Sequence, residues 1–180
     1  KTLVERHLKF HRDDLRTRLL PQLEGRVFHV TTRAAYQGIL ETGTINLNQD
    51  GSLGYTFGQS ETSYFRRRGC ISVVDLREVK QEELDDGLLK YYFLNPSFAK
   101  NKPVFLQLSP STYATLIPWS RWKDEQAWGE MVVPYIESGY AGSIGIGSVE
   151  EVILADIMNP QGQLEKILRQ VEKSISKPRK

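Results

Sequence analysis

Only one cysteine, Cys70, occurs among the 180 residues. A lone thiol cannot close an internal disulfide or build a cysteine-based zinc site, so both kinds of scaffold are excluded. Beside the apolar run "ISVVDL" it reads as a buried, inert thiol rather than a nucleophile. No apolar run approaches the roughly 20 residues that span a bilayer, and the N-terminal residues carry no signal-peptide apolar region. The expectation is a soluble cytoplasmic protein with no membrane partner. A start at Lys1 rather than methionine is compatible with a fragment or a processed form. Net charge is also scarce. The 24 Lys and Arg against 22 Asp and Glu leave +2, too little to demand a nucleic-acid partner unless the basic residues cluster. Hydrophobic residues at 39% and charged residues at 26% exclude wholesale disorder, and a chain of this length can bury the core of one domain, 1–180.

Strong signature motifs are missing as well. There is no GxxxxGK[ST] phosphate loop, no HExxH helix and no GxSxG elbow. "GSIGIG" alternates its glycines but does not join a strand to a long helix followed by an acid, so it is a poor dinucleotide fingerprint. His7 and His11, one turn apart on a helix, have no third ligand nearby and read as surface histidines.

The periodicities that are present outline an α+β domain. Leu3, Val4, Leu8, His11, Leu15 and Leu19 follow helical spacing until Pro21 and Gly25, which predicts an amphipathic N-terminal helix over 1–25. "RVFHVT" predicts a strand. "TRAAYQGILETG" predicts a helix capped by Thr32 and stopped by Gly43. A glycine-spaced loop follows, then the strand "GCISVVDLR", apolar enough to be central in a sheet. "VKQEELDDGLLKYYFLNPSF" predicts a helix then a loop, and "KPVFLQLSP" a third strand. "GEMVVPYIES" reads as a fourth strand interrupted by Pro134, at an edge or bulge. A final strand covers 151–157, and a helix with a basic tail covers 159–180. About five strands with helices not in strict alternation point to α+β, with the main core over 26–158.

Chemistry-bearing residues fall in a particular order: His29 and Thr31 on the first predicted strand, Tyr55, Ser63 and Tyr64 around the glycine loop, and Glu130 and Glu137 flanking the fourth strand. Each alone has an ordinary packing or solvent explanation. Together, "FHVTT…GILETGTI", "SETSYFRRRGCISVVDLR" and "GEMVVPYIE…VEEVILADI" resemble the ADP-ribosyltransferase superfamily, in particular the H-Y-E branch of diphtheria toxin and the poly-ADP-ribose polymerases. DNA-modifying ADP-ribosyltransferase toxins and RNA 2′-phosphotransferases share that general fold. The resemblance runs from about Phe28 to Ile157.

This resemblance implies a split β-sheet core with flanking helices and NAD+ held bent in a cleft between two sheets. Positive charge then builds on the ribose as nicotinamide leaves, and a carboxylate there acts mainly on the transition state. By resemblance, His29 binds the cofactor's adenosine-side ribose or backbone with Thr31 in support, and Ser63 is a further cofactor-binding residue. Tyr64 stacks on the nicotinamide, with Tyr55 as its rival. Glu130, leading into the predicted strand, is favoured over Glu137 as the catalytic acid. Seven positions apart on a regular strand, the two would face opposite sides and not share one pocket. Arg66, Arg67 and Arg68 read either as contacts to the pyrophosphate or a nucleic-acid backbone or as a solvated strand start. Trp119, Trp122 and Trp128 offer a base-stacking platform, although core packing suits at least two of them.

The function expected is an NAD+-using glycosyl-transfer enzyme, a toxin or defence effector acting on a protein or nucleic-acid acceptor, with an antitoxin or other partner protein open. The alternatives are an RNA 2′-phosphotransferase-like enzyme and a non-catalytic nucleic-acid-binding module.

Overall fold

In the computed structural model, the residues described are 3–53, 61–90 and 102–158. They form a mixed α and β structure around one large, mostly antiparallel sheet flanked by helices. The strands are β1 (Val4–His11), β2 (Val27–Thr31), β3 (Thr44–Ile45), β4 (Cys70–Asp75), β5 (Val104–Leu108), β6 (Ile117–Pro118), β7 (Glu137–Ala141), β8 (Ile144–Gly145) and β9 (Val149–Met158). The helices are α1 (Leu15–Arg18), α2 (Leu20–Leu23), α3 (Arg33–Thr42), α4 (Tyr64–Arg67), α5 (Gln81–Lys90) and α6 (Ser120–Asp124). The large sheet runs β1-β9-β5-β2-β4-β7-β6, and β3 pairs separately with β8.

The central strands are those whose residues are apolar on both faces. All five residues of β5 are buried, and β4 buries four of six. One face of the sheet carries Phe28, Val74, Phe105 and Ile153 under α2 and the start of α5. The other carries Val27, Val73, Leu106 and Leu154 under Tyr36 and Ile39 of α3. Helix α3 has both ends its sequence announces. The Thr32 hydroxyl accepts from Ala35 N at 3.1 Å, and Gly43 takes φ 69°, the left-handed conformation that ends a helix.

The sheet is divided along its length. β2 and β4 pair only at Val27–Asp75 and Phe28–Val74. From Phe28 to Thr31, β2 remains paired with β5 on its other side, while β4 remains paired with β7 over Cys70–Val74. The group β1-β9-β5-β2 is therefore joined to β4-β7-β6 at one end of β2. That end is reinforced by Gly25 N to Leu76 O at 3.0 Å and Leu76 N to Arg26 O at 2.9 Å. Past Phe28 the ladder between β2 and β4 stops.

Two expectations are corrected. Residues 4–11 form a strand, not the first half of a helix spanning 1–25. Leu8 and Phe10 alternate inward and the whole strand pairs in parallel with β9, a long-range partner that local spacing does not report. His7 and His11 accordingly lie about 13 Å apart along a strand rather than one helical turn apart. The second correction concerns "GEMVVPYIES", which becomes strand only at Glu137. Before it, Tyr135 adopts φ 67° and Glu137 N donates to Val133 O at 3.0 Å, closing a tight turn around Pro134. The helical tail expected over 159–180 lies outside the described residues.

β7 lies close under α4. A Cβ on Gly139 would come within 2.2 Å of the Phe65 ring, and Phe65 is fully buried. Gly139→Ala is therefore expected to destabilise the fold by about 1–3 kcal/mol through overpacking. Calorimetric melting should show this as a loss of roughly 2–12 °C in Tm.

Candidate functional site

Where the ladder between β2 and β4 stops, the backbone carbonyl of Ser72 loses its partner across the gap, and His29 takes it. His29 Nδ1 lies 3.3 Å from Ser72 O. A carbonyl only accepts, so Nδ1 carries the proton and Nε2 presents its lone pair. The ring is half-buried, and burial lowers its pKa to about 4, the Ser72 carbonyl opposing this only in part. At neutral pH it is an uncharged imidazole of defined tautomer.

The Ser72 side chain makes the second contact. Its hydroxyl donates a short hydrogen bond to Glu137 Oε1, and Val133 N donates to Oε2 of the same carboxylate at 2.7 Å. Glu137 begins β7, opposite Val74, so its side chain shares a face with Val74 and Ser72. It is only 7% exposed. Burial raises its pKa above the ordinary carboxylate range, against the opposing pull of the two hydrogen bonds. Among the described residues, no Lys, Arg or His forms an ion pair with it. His29 and Glu137 therefore both bond to Ser72, His29 to its carbonyl from the α3 side of the sheet and Glu137 to its hydroxyl on the opposite face. By strand alternation His29 leaves β2 on the α3 side, and it reaches Ser72 O across the gap.

The other expected site residues are elsewhere. Thr31 follows His29 on the same face of β2 and is buried. Ser63 precedes α4 and forms a bridge with Met131. Tyr64 is 0% exposed, edge-on to Phe65 at 5.0 Å and beneath the Arg68 guanidinium at 3.7 Å, with its phenol pushed up to about 12 by burial. The expectation that it stacks on a ligand ring is corrected: a side chain so enclosed has no open face. Tyr55 lies outside the described residues.

Glu130, the acid favoured in the sequence, is engaged in ion pairs. Its carboxylate is bound by Arg68 at 2.5 Å and faces Arg67 at 3.5 Å, while its backbone carbonyl accepts from Trp122 Nε1 at 2.9 Å. This is a structural ion-pair cluster, completed by Glu125 on Arg68. The turn over residues 133–137 also removes the regular strand on which the two glutamates were compared. Arg66 donates to the Asn48 and Gln49 carbonyls, so none of the three arginines stands at Ser72. Trp119 and Trp122 are partly buried, while Trp128 is 59% exposed. Cys70 is buried, as expected, and burial raises its thiol pKa. Among the described residues no three His, Cys, Asp or Glu side chains are grouped to hold a metal ion, and no helix is long and apolar enough to cross a membrane.

Ser72 is the site residue that the sequence reading passed over. A signal existed: it is the lone small hydroxyl in the apolar strand "CISVV". The chain matches no protein-family model, no curated protein and no solved structure.

Two pH effects follow. Glu137 is harder to ionise folded than unfolded, so its cost to stability is absent at acid pH and appears as pH rises through its raised pKa. Glu137→Gln should raise Tm at pH 7–8, and the gain should vanish below about pH 4, the unfolded carboxylate range. His29 acts in the opposite window. The unfolded chain takes up its proton near 6.5 while the folded ring holds out to about 4, so stability falls as pH drops through that interval. Urea melts of His29→Asn across the same interval should show a shallower fall than the wild-type chain.

Proposed function

We propose that this chain is an NAD+-dependent ADP-ribosyltransferase with a split-sheet core, and that Glu137, not Glu130, is its catalytic carboxylate. The observation that supports it is the bonding of both His29 and Glu137 to Ser72, beside the gap where the two halves of the sheet part. The resembled family requires an H-x-T strand and a later glutamate on neighbouring strands, and here residues 108 positions apart both bond to Ser72 of β4.

In this reading NAD+ enters the gap past Phe28. The neutral His29 ring offers Nε2 to a ribose hydroxyl, and Thr31 backs that strand. The bond between the ribose anomeric carbon and nicotinamide breaks, its electron pair leaves with nicotinamide, and positive charge develops on the sugar. An ionised Glu137 in a weakly solvated place stabilises that charge more than it stabilises the ground state. An acceptor nucleophile on protein or nucleic acid then attacks the same carbon. A carboxylate whose pKa is already raised is well matched to receive its proton. Ser72 orients the carboxylate. Since Tyr64 is enclosed, the role of stacking on nicotinamide passes to Tyr55.

Nicotinamide release from NAD+ tests the assignment. Glu137→Gln is expected to lower kcat by about 10²–10⁴, His29→Ala to raise KM, and Glu130→Gln to lower Tm while sparing turnover. Full activity in Glu137→Gln with loss in a folded Glu130→Gln would overturn it. Calorimetry showing no NAD+ binding at all would favour the non-catalytic module.

A further inference from the structure

The large sheet ends differently on its two sides. One edge is β6, two residues long and containing Pro118, which has no N–H to offer a further strand. The opposite edge is β1, eight residues long and without proline. Its register with β9 runs unbroken from Val4–Glu151 to His11–Met158. Among the described residues, the backbone of Val4–Phe10 pairs with β9 alone, so a row of amide and carbonyl groups faces outward. β1 thus lacks the short length, the proline and the bulge that commonly shield a sheet edge.

Its side chains divide by face. Glu5 accepts from the Tyr36 hydroxyl of α3 at 2.7 Å, so Glu5, His7 and Lys9 stand on the α3 side, and all three are exposed. Leu8 and Phe10 pack into the core beneath α2, which places Val4 and Arg6 on that opposite side. Val4 is 59% exposed, an apolar side chain left at the rim. Among the described residues Lys9 has no ion-pair partner.

A second β1 complements this edge. A two-fold axis normal to the sheet sets the two strands antiparallel and keeps each face on its own side, so opposed residues are both odd or both even. Three registers keep most of the strand paired. Centred on Arg6, the pair sets two guanidinium groups face to face. Centred on Leu8, it sets Lys9 opposite His7 and leaves Val4 unpaired. Centred on His7, it sets Glu5 opposite Lys9 twice and Val4 opposite Phe10 twice. A lysine on an edge ordinarily discourages an incoming strand. Here the Glu5 of a second copy meets it. We propose that β1 is a dimerisation edge, at which a second copy of this chain adds antiparallel in the register centred on His7 and continues the sheet across both subunits. β1 lies three strands from β2, so the interface is remote from Ser72, and the proposal does not rest on the NAD+ reading.

The test is analytical ultracentrifugation of the full chain over about 1–500 μM, a range in which the wild-type chain is expected to pass from monomer to dimer. Glu5→Lys alone opposes lysine to lysine at two places, and Lys9→Glu alone opposes glutamate to glutamate. Each should raise the dimer Kd about 10-fold or more. An equimolar mixture of these two variants restores opposite charges at both places and should form a heterodimer within about threefold of the wild-type Kd. A folding defect in either variant does not produce that rescue. Tyr36→Phe removes the hydroxyl that Glu5 holds within its own subunit and should leave the Kd unchanged. A wild-type chain that stays monomeric throughout, a mixture no tighter than the separate variants, or an equal loss in Tyr36→Phe would overturn the proposal.

Discussion

Everything at the candidate site depends on a ladder that ends early. β2 and β4 exchange only the pairs at Val27 and Phe28 before their backbones separate. Had the pairing continued, the Ser72 carbonyl would have been used by the sheet and no room would have remained for a side chain between the strands. At the split its partner is an imidazole, which exchanges sheet continuity for a polar cluster within the central strands.

The same local arrangement sets the electrostatics. Withdrawal from water holds His29 neutral and makes Glu137 reluctant to ionise, so the two depart from their ordinary pKa values in opposite directions. Glu130 shows the contrast. It lies seven residues earlier but is held by arginines in a cluster that fastens α4 to the segment before β7. Two glutamates close in sequence are thus given different surroundings by the turn from Val133 to Glu137, one buried beside Ser72 and the other held by arginines. That turn includes a left-handed Tyr135 that is 48% exposed.

Local signals made much of this legible. The caps of α3 are written in Thr32 and Gly43, the centrality of β4 and β5 in their continuous apolar runs, and His29 in its place near the end of a short strand. What local reading missed was set by distant partners. β1 carries Leu8 and Phe10 in alternation, yet its charges also fit a helix, and only pairing with β9 decides between them. The extended reading of residues 130–136 failed because apolar character does not reveal a left-handed residue. Tyr64 looked available because exposure is a property of the packed molecule. Ser72 was overlooked because its role comes from a gap that no short window of sequence contains.

The account is tested most directly by the ring nitrogens of His29, followed by nitrogen-15 NMR at neutral pH during titration with NAD+. It requires a neutral imidazole protonated at Nδ1 in the free protein, and an Nε2 resonance that shifts in a saturable way as NAD+ is added. A charged ring, or an Nε2 signal that stays still while NAD+ binds elsewhere on the molecule, would contradict it.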